Sequence, residues 1–304
     1  MIDFLKDVSA VAVPAFVLST MLNVGLTQKP SRILHHLQNW HFLIRMLLIN
    51  LVVVPALMIA AVVLVELEPI YAAGLVVFAM SAGAPFLVRL TMTLRHEIAL
   101  GATVMVVLMV GTVVIMPAAL PFALEGIDVD AGGIVKSLLS QMIAPMVVGM
   151  LFNQFLEAQV AYLQPWVARF SSVSLYVLIA STLVGYAPDL ADRGLWKAAV
   201  TGFVVLALAF FLGFMMGDGR DQLNDVGGLG TAQRGTASAM IVATSNFTDP
   251  RVLVIITLVN TLGLVFLIGA AKTLSKDNQV TLDPPGADEP QRPARAVTAK
   301  ESAP

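Results

Sequence analysis

About nine stretches of this chain are almost free of charge and long enough to cross a lipid bilayer. A helix needs ~20 consecutive apolar residues to span the hydrocarbon core. Inside that core every backbone N–H and C=O must find its partner within the protein. The pattern therefore predicts an all-α polytopic membrane protein, with spans at about 8–26, 42–65, 69–90, 98–123, 133–155, 167–187, 196–216, 227–247 and 251–271. With 58% hydrophobic and only 12% charged residues, the chain is far from a soluble domain. A net charge of −2 gives no footprint for nucleic acid, and the lipid bilayer is the expected partner. Without cysteine, neither disulfides, thiolate chemistry nor Cys-ligated metal is available. The histidines, His35, His36, His41 and His96, have no zinc-site spacing. No Ser/His, paired-Asp or metal constellation lies in the spans, so no enzyme is expected.

The N-terminal stretch Met1–Leu26 reads as a retained span, because it lacks a small-x-small cleavage site. Residues 273–304 are rich in Pro, Ala and charge, too poor in large apolar side chains for a core, and are expected to be a disordered cytoplasmic tail. Lys29, Arg32, Arg95, Arg169, Arg220, Lys272 and Lys276 fall on one side of the predicted topology. Glu66, Glu68, Glu125, Asp128 and Asp130 fall mainly on the other, with Lys136, Arg193, Lys197 and Arg251 as exceptions. The basic bias puts the N-terminus outside and the C-terminus in the cytoplasm of a cell inner membrane.

Two stretches do not suit plain membrane helices. Gly227–Thr236 holds four glycines, a glutamine and Arg234 inside an apolar segment. Ser81–Arg89 carries Gly83, Pro85 and Arg89. Glycines loosen a helix, and non-helical backbone at membrane depth survives only where protein buries it or where it lines a wet cavity. An arginine near mid-bilayer costs at least ~2.5–3.5 kcal/mol and marks a functional site by default. Spans 42–123 and 196–271 each hold a plain helix, a broken helix and a third helix, and start on opposite sides. That is an inverted repeat, with Arg89 and Arg234 in equivalent places.

Each polar residue has a plainer reading beside the functional one. Arg89 stands near Arg95 and His96 and could snorkel to the surface; otherwise it lines a site. Arg234 lies deeper, where snorkelling is harder. No carboxylate lies between Asp225 and Asp249 or between Glu68 and Glu97, so both arginines must meet carbonyls, amides, water or a bound anion. Asn50 and Asn260 either make interhelical hydrogen bonds or line the same site. Pro14, Pro55, Pro117, Pro121 and Pro145 read as kinks or ends.

Several motifs resemble the bile acid:sodium symporter family. They are Met21–Ser31, Asn50 before Pro55, Gly83-Ala-Pro85 with Arg95 and Ala99-Leu100, Gln233-Arg234, and Asn260-Thr-Leu-Gly263. The similarity extends over most of 8–271. It implies a transporter domain, 1–272, with a panel (8–26, 133–155, 167–187), a core (42–123, 196–271) and two broken helices that cross in the core. It also implies secondary transport of small organic anions by alternating access. The substrate-binding candidates are Arg89, Arg234, Gln233, Pro85, Gly235, Thr236, Asn260 and Asn50. An Arg-lined anion channel or uniporter is the alternative.

The resemblance also implies two sodium sites, whose ligand positions look dismantled in this chain. Those positions align with Leu87, Val88, Gly101, Met105 and either Leu229 or Gly230, none of which offers a carboxylate. No metal or cofactor is therefore expected, sodium being possible but disfavoured. Arg89 and Arg234 are read instead as fixed positive charges standing where relatives hold sodium, since a guanidinium stays protonated and forks onto oxygens.

Overall fold

A computed structural model describes residues 2–28, 37–94, 98–124 and 130–282. They form a bundle of helices: α1 (Ile2–Thr27), α2 (Leu37–Leu64), α3 (Pro69–Met80), α4 (Phe86–Thr93), α5 (Ile98–Ala123) and α6 (Ala131–Phe155). There follow α7 (Glu157–Gly185), α8 (Arg193–Phe214), α9 (Asp221–Ala232), α10 (Thr236–Asn246) and α11 (Arg251–Leu282). Among the described residues, seven helices are long and apolar enough to cross a membrane: α1, α2, α5, α6, α7, α8 and α11. The two remaining predicted spans are the ones the sequence marks as interrupted. They appear as the pairs α3–α4 and α9–α10.

Local chemistry explains the interruptions. Pro69 opens α3 at a position where its missing N–H costs nothing. The helix stops at Met80, because Gly83 has φ +79° and Pro85 follows. Only glycine takes that φ readily, and a Cβ on Gly83 would also stand 2.5 Å from the Met109 nitrogen of α5. The backbone at Ala82 is not left orphaned. The Thr112 hydroxyl of α5 accepts from the Ala82 N–H (2.9 Å) and donates to the Ala82 carbonyl (3.0 Å). The other interruption is Gln233–Gly235. There Ala82 and Arg234 pair as a single antiparallel bridge, and the Gly235 N–H donates to the Ser81 carbonyl at 2.7 Å. The two breaks therefore satisfy one another, as backbone at this depth must.

Some boundaries differ from expectation. The second break is shorter than Gly227–Thr236, since Gly227–Ala232 are helical. Their glycines make close packing rather than a loosened helix. A Cβ on Gly227 would strike the carbonyl oxygen of Gly213 in α8, and a Cβ on Gly213 would strike that of Gly227. The helix starts at Asp221, so Asp225 is buried within it instead of lying outside a span. The helix α7 begins at Glu157, earlier than 167, with Pro165 inside it. The last helix runs past 271 to Leu282; the rest of the expected tail, 283–304, lies outside the described residues. So do the loop residues Lys29, Arg32, His35, His36, Arg95, His96, Glu125 and Asp128.

α1 packs along α6 and α7. Gly25 and Gly149 bring α1 and α6 close, a Cβ on Gly149 standing 2.6 Å from the Leu22 carbonyl. α8 packs along α9, and α11 along α3.

Candidate functional site

The crossing of the two breaks has two faces with different chemistry. On one face lies Arg234, 1% exposed and the largest fully buried side chain among the described residues. One terminal nitrogen donates to the carbonyls of Ala79 (2.7 Å) and Asn50 (3.2 Å). The other donates to the Thr231 carbonyl (2.7 Å) and to the side-chain oxygen of Asn50. The Nε–H has no partner among the described residues.

Each acceptor is free for a reason. Ala79 and Thr231 lie in the last turns of α3 and α9, where carbonyls lack intrahelical donors. The residue that would serve Thr231, Gly235, donates to Ser81 instead. Asn50 sits in a turn of π-helix, Ile49–Val53. There the Val54 N–H reaches back to Ile49, so the donor due to Asn50 would come from Pro55, which has none. The Asn50 amide is held in place by donating to Met46 (2.9 Å) and to the Thr231 hydroxyl (3.2 Å). The C-terminal ends of two half-helices thus converge on one guanidinium, and their negative dipole ends favour a cation.

On the other face lies a cleft against α1 and α7. A cavity of about 100 Å³ is lined by Pro85, Arg89, Gln233, Thr236 and Asn260 from the broken helices and α11, facing Thr20 of α1. It meets a second cavity of about 370 Å³ at Asn23, Pro85 and Arg89. Arg89 is exposed in this cleft and donates to the Ser172 hydroxyl of α7 at 3.3 Å. Thr236, at the start of α10, donates its hydroxyl to Asn260 at 2.6 Å. The N-terminal turns of α4 and α10 also border the cavity, through Phe86 and Ala237. Such turns carry unpaired N–H groups and a partial positive charge.

Arg89, Pro85, Gln233, Thr236 and Asn260 therefore come together at the cleft. Arg234 and Asn50 come together behind it, and no hydrogen-bond partner is shared between the two arginines. Gly235 belongs to the crossing itself, where a Cβ would stand 2.6 Å from the Ser238 hydroxyl and 3.2 Å from the Ala82 carbonyl. Sequence reading missed Thr112, Thr20 and Ser172, and gave Asn23 only as part of the Met21–Ser31 motif, without a place at the site. The only signal that Thr112, Thr20 and Ser172 give is a small polar side chain in an apolar run, which packing residues share.

These features describe an all-helical membrane protein whose two interrupted helices meet beside a polar cleft. The chain belongs to the sodium bile acid symporter family, a family of membrane transporters: the family model matches residues 14–193. The match ends at the start of α8, so α9, α10 and Arg234 lie beyond it. No curated protein matches the chain.

The family name implies sodium, and the residues at the inferred ligand positions do not fit it. Leu87, Met105 and Leu229 are buried apolar side chains without an oxygen. A Cβ at Gly230 would meet Leu87, Met46 and Val104 at 3.1, 3.3 and 3.5 Å, so apolar side chains crowd that position. Thr91 fills the space beside Gly101 and spends its hydroxyl on the Leu87 carbonyl at 2.9 Å. Val88 offers no oxygen side chain and borders the second cavity. Among the described residues no group of His, Asp or Glu could hold a metal ion.

Proposed function

We propose that this protein is a sodium-independent secondary carrier of small organic anions. The observation that carries the reading is the division of charge at the crossing. Arg234 occupies the end where two helix C-termini converge, and Arg89 with two helix N-termini borders the cleft. A cation is needed at the first place to keep the dipole ends together, and a guanidinium supplies it without leaving. An anion suits the second.

In this reading the seven continuous helices and the two broken ones make nine spans, with α2–α5 and α8–α11 as inverted repeats. α1, α6 and α7 form a panel, which their mutual packing supports. The core rocks against that panel around the cleft, and the Arg89–Ser172 contact breaks and remakes as it does. The N-terminus is outside and the larger cavity opens to the cytoplasm.

Uptake into proteoliposomes with sodium replaced by choline tests the proposal. Unchanged uptake is expected; strict dependence on sodium would overturn it. Lack of a coupling-ion site also suits an Arg-lined channel or uniporter. Saturating flux with counterflow distinguishes an alternating-access carrier, a uniporter included, from the channel.

A further inference from the structure

Three amide side chains line the inner cavity, Asn23, Gln233 and Asn260, and all three turn the same way. Their oxygens face the protein. Asn260 Oδ1 accepts from the Thr236 hydroxyl at 2.6 Å, and Asn23 Oδ1 accepts from the Gln164 amide at 3.1 Å. Gln233 Oε1 is buried away from the cavity. The amide nitrogens are left over. None of the three has an acceptor among the described residues, and none is sealed off, so their N–H groups open on the cavity. Gln233 and Asn260 are only 3% and 4% exposed, and the surface each keeps lies here. The hydroxyls around them are engaged. Thr20 and Ser171 bond one another at 2.6 Å, while Ser172 accepts from Arg89 and donates to the Ala168 carbonyl at 2.9 Å. Arg89 uses one donor on Ser172 and keeps the others. The cavity therefore has N–H donors to spare, while each of its side-chain oxygens is already engaged or buried. A buried donor without an acceptor is costly, so a ligand that brings acceptors is held there.

We propose that Gln233 and Asn260 are specificity-determining residues that donate their amide N–H groups to a substrate ketone, so that the cleft selects short monocarboxylates whose second polar group is an acceptor alone. This deepens, and rests on, the reading of the cleft as an anion site. Arg89 and Asn23 stand together where the two cavities meet, and they take the carboxylate. Gln233 and Asn260 lie on the inner side only, and they take the ketone oxygen. The backbone keeps Gln233 in place, since its N–H donates to Leu229 at 2.9 Å and the next residue forms the bridge to Ala82. Phe16, Phe86, Leu175 and Leu264 supply apolar walls for the carbon chain. A hydroxyl or an amine in place of the ketone brings a proton that must compete for oxygens already engaged. An unsubstituted acid leaves the two amides without an acceptor. A site built to hydrogen-bond a substrate group rejects the analogue that cannot answer it, because buried polar groups are then left unpaired.

The test is calorimetric binding to the purified full-length protein. The probes are two series of equal chain length: 2-oxobutyrate, 2-hydroxybutyrate, 2-aminobutyrate and butyrate; and 4-oxopentanoate, 4-hydroxypentanoate, 4-aminopentanoate and pentanoate. In at least one series the oxo acid should bind about tenfold or more tightly than the other three. Gln233→Met and Asn260→Leu each remove one amide at similar volume, and each should bring that oxo acid to within about twofold of its unsubstituted partner. An oxo acid bound by the wild-type protein no more tightly than its hydroxy or unsubstituted partner, in both series, overturns the inference even if no variant folds. So does an oxo preference that survives in either variant. Binding of no acid at all, or binding unchanged by Arg89→Gln, overturns the anion site itself and is thereby told apart from failure of the oxo preference.

Discussion

A guanidinium presents five N–H donors in a planar fork. At Arg234 both terminal nitrogens are fully engaged, by three carbonyls and one amide oxygen. Arg234→Met keeps the volume and orphans those acceptors, each at a cost of about 1–3 kcal/mol. A loss of stability of at least about 3 kcal/mol is expected, read as a sharp fall in melting temperature in detergent. Arg89→Gln should leave the melting temperature nearly unchanged, because Arg89 is exposed. The same change should weaken anion binding or uptake by about tenfold or more. In the chain the two arginines look alike, each alone in an apolar stretch with no acid nearby. What separates them is tertiary. The oxygens around Arg234 come from α2, α3 and α9, and nothing in residues 227–236 announces Ala79 or Asn50.

Two devices act at the level of the helix. The π turn at Ile49–Val53 shifts the hydrogen-bond register by one residue so that Pro55 meets the Asn50 carbonyl with no N–H to give. The glycine pair at Gly213 and Gly227 lets α8 and α9 touch at backbone distance. Gly213→Ala must push these helices apart and is expected to cost about 1–3 kcal/mol by thermal melt. Gly269→Ala is the control, with nothing within 4 Å of the added carbon and no loss expected. The interruptions were legible because Gly83, Pro85 and a buried arginine are poor helix material at that depth. The glycines at 227, 228 and 230 misled, since the same residue type serves loosening and close approach alike. At the start of three helices a polar cluster ties the ends together. Tyr71 of α3 donates to Asp192 (2.6 Å) before α8, and Arg251 of α11 pairs with Asp249 (2.7 Å). The Tyr71 hydroxyl, with the Gly194 N–H, holds the Asp192 carboxyl below its ordinary range. That contribution is present above the unfolded carboxylate pKa and lost as pH falls through the lower folded value. Tyr71→Phe should therefore lower the melting temperature at pH 7 and have less effect near pH 3.

For the whole molecule, hydrophobic length alone gave the membrane class and the seven continuous helices. The family motifs pointed to the transporter family that the match over 14–193 shows. The cleft was not readable, because its walls come from α1, α4, α5, α7, α10 and α11, and no local pattern encodes how those helices face one another. In the proposed carrier, a resident guanidinium has a consequence for energetics. A sodium ion that travels with a substrate anion cancels its charge, whereas Arg234 stays behind. Each turnover with a monovalent acid then moves one net negative charge, worth about 2.3 kcal/mol per 100 mV of membrane potential. In a cell that is negative inside, this term of the driving force would favour outward movement of the acid in such a carrier. Vesicles clamped with potassium and valinomycin should accumulate the acid when the lumen is positive and expel it when the polarity is reversed.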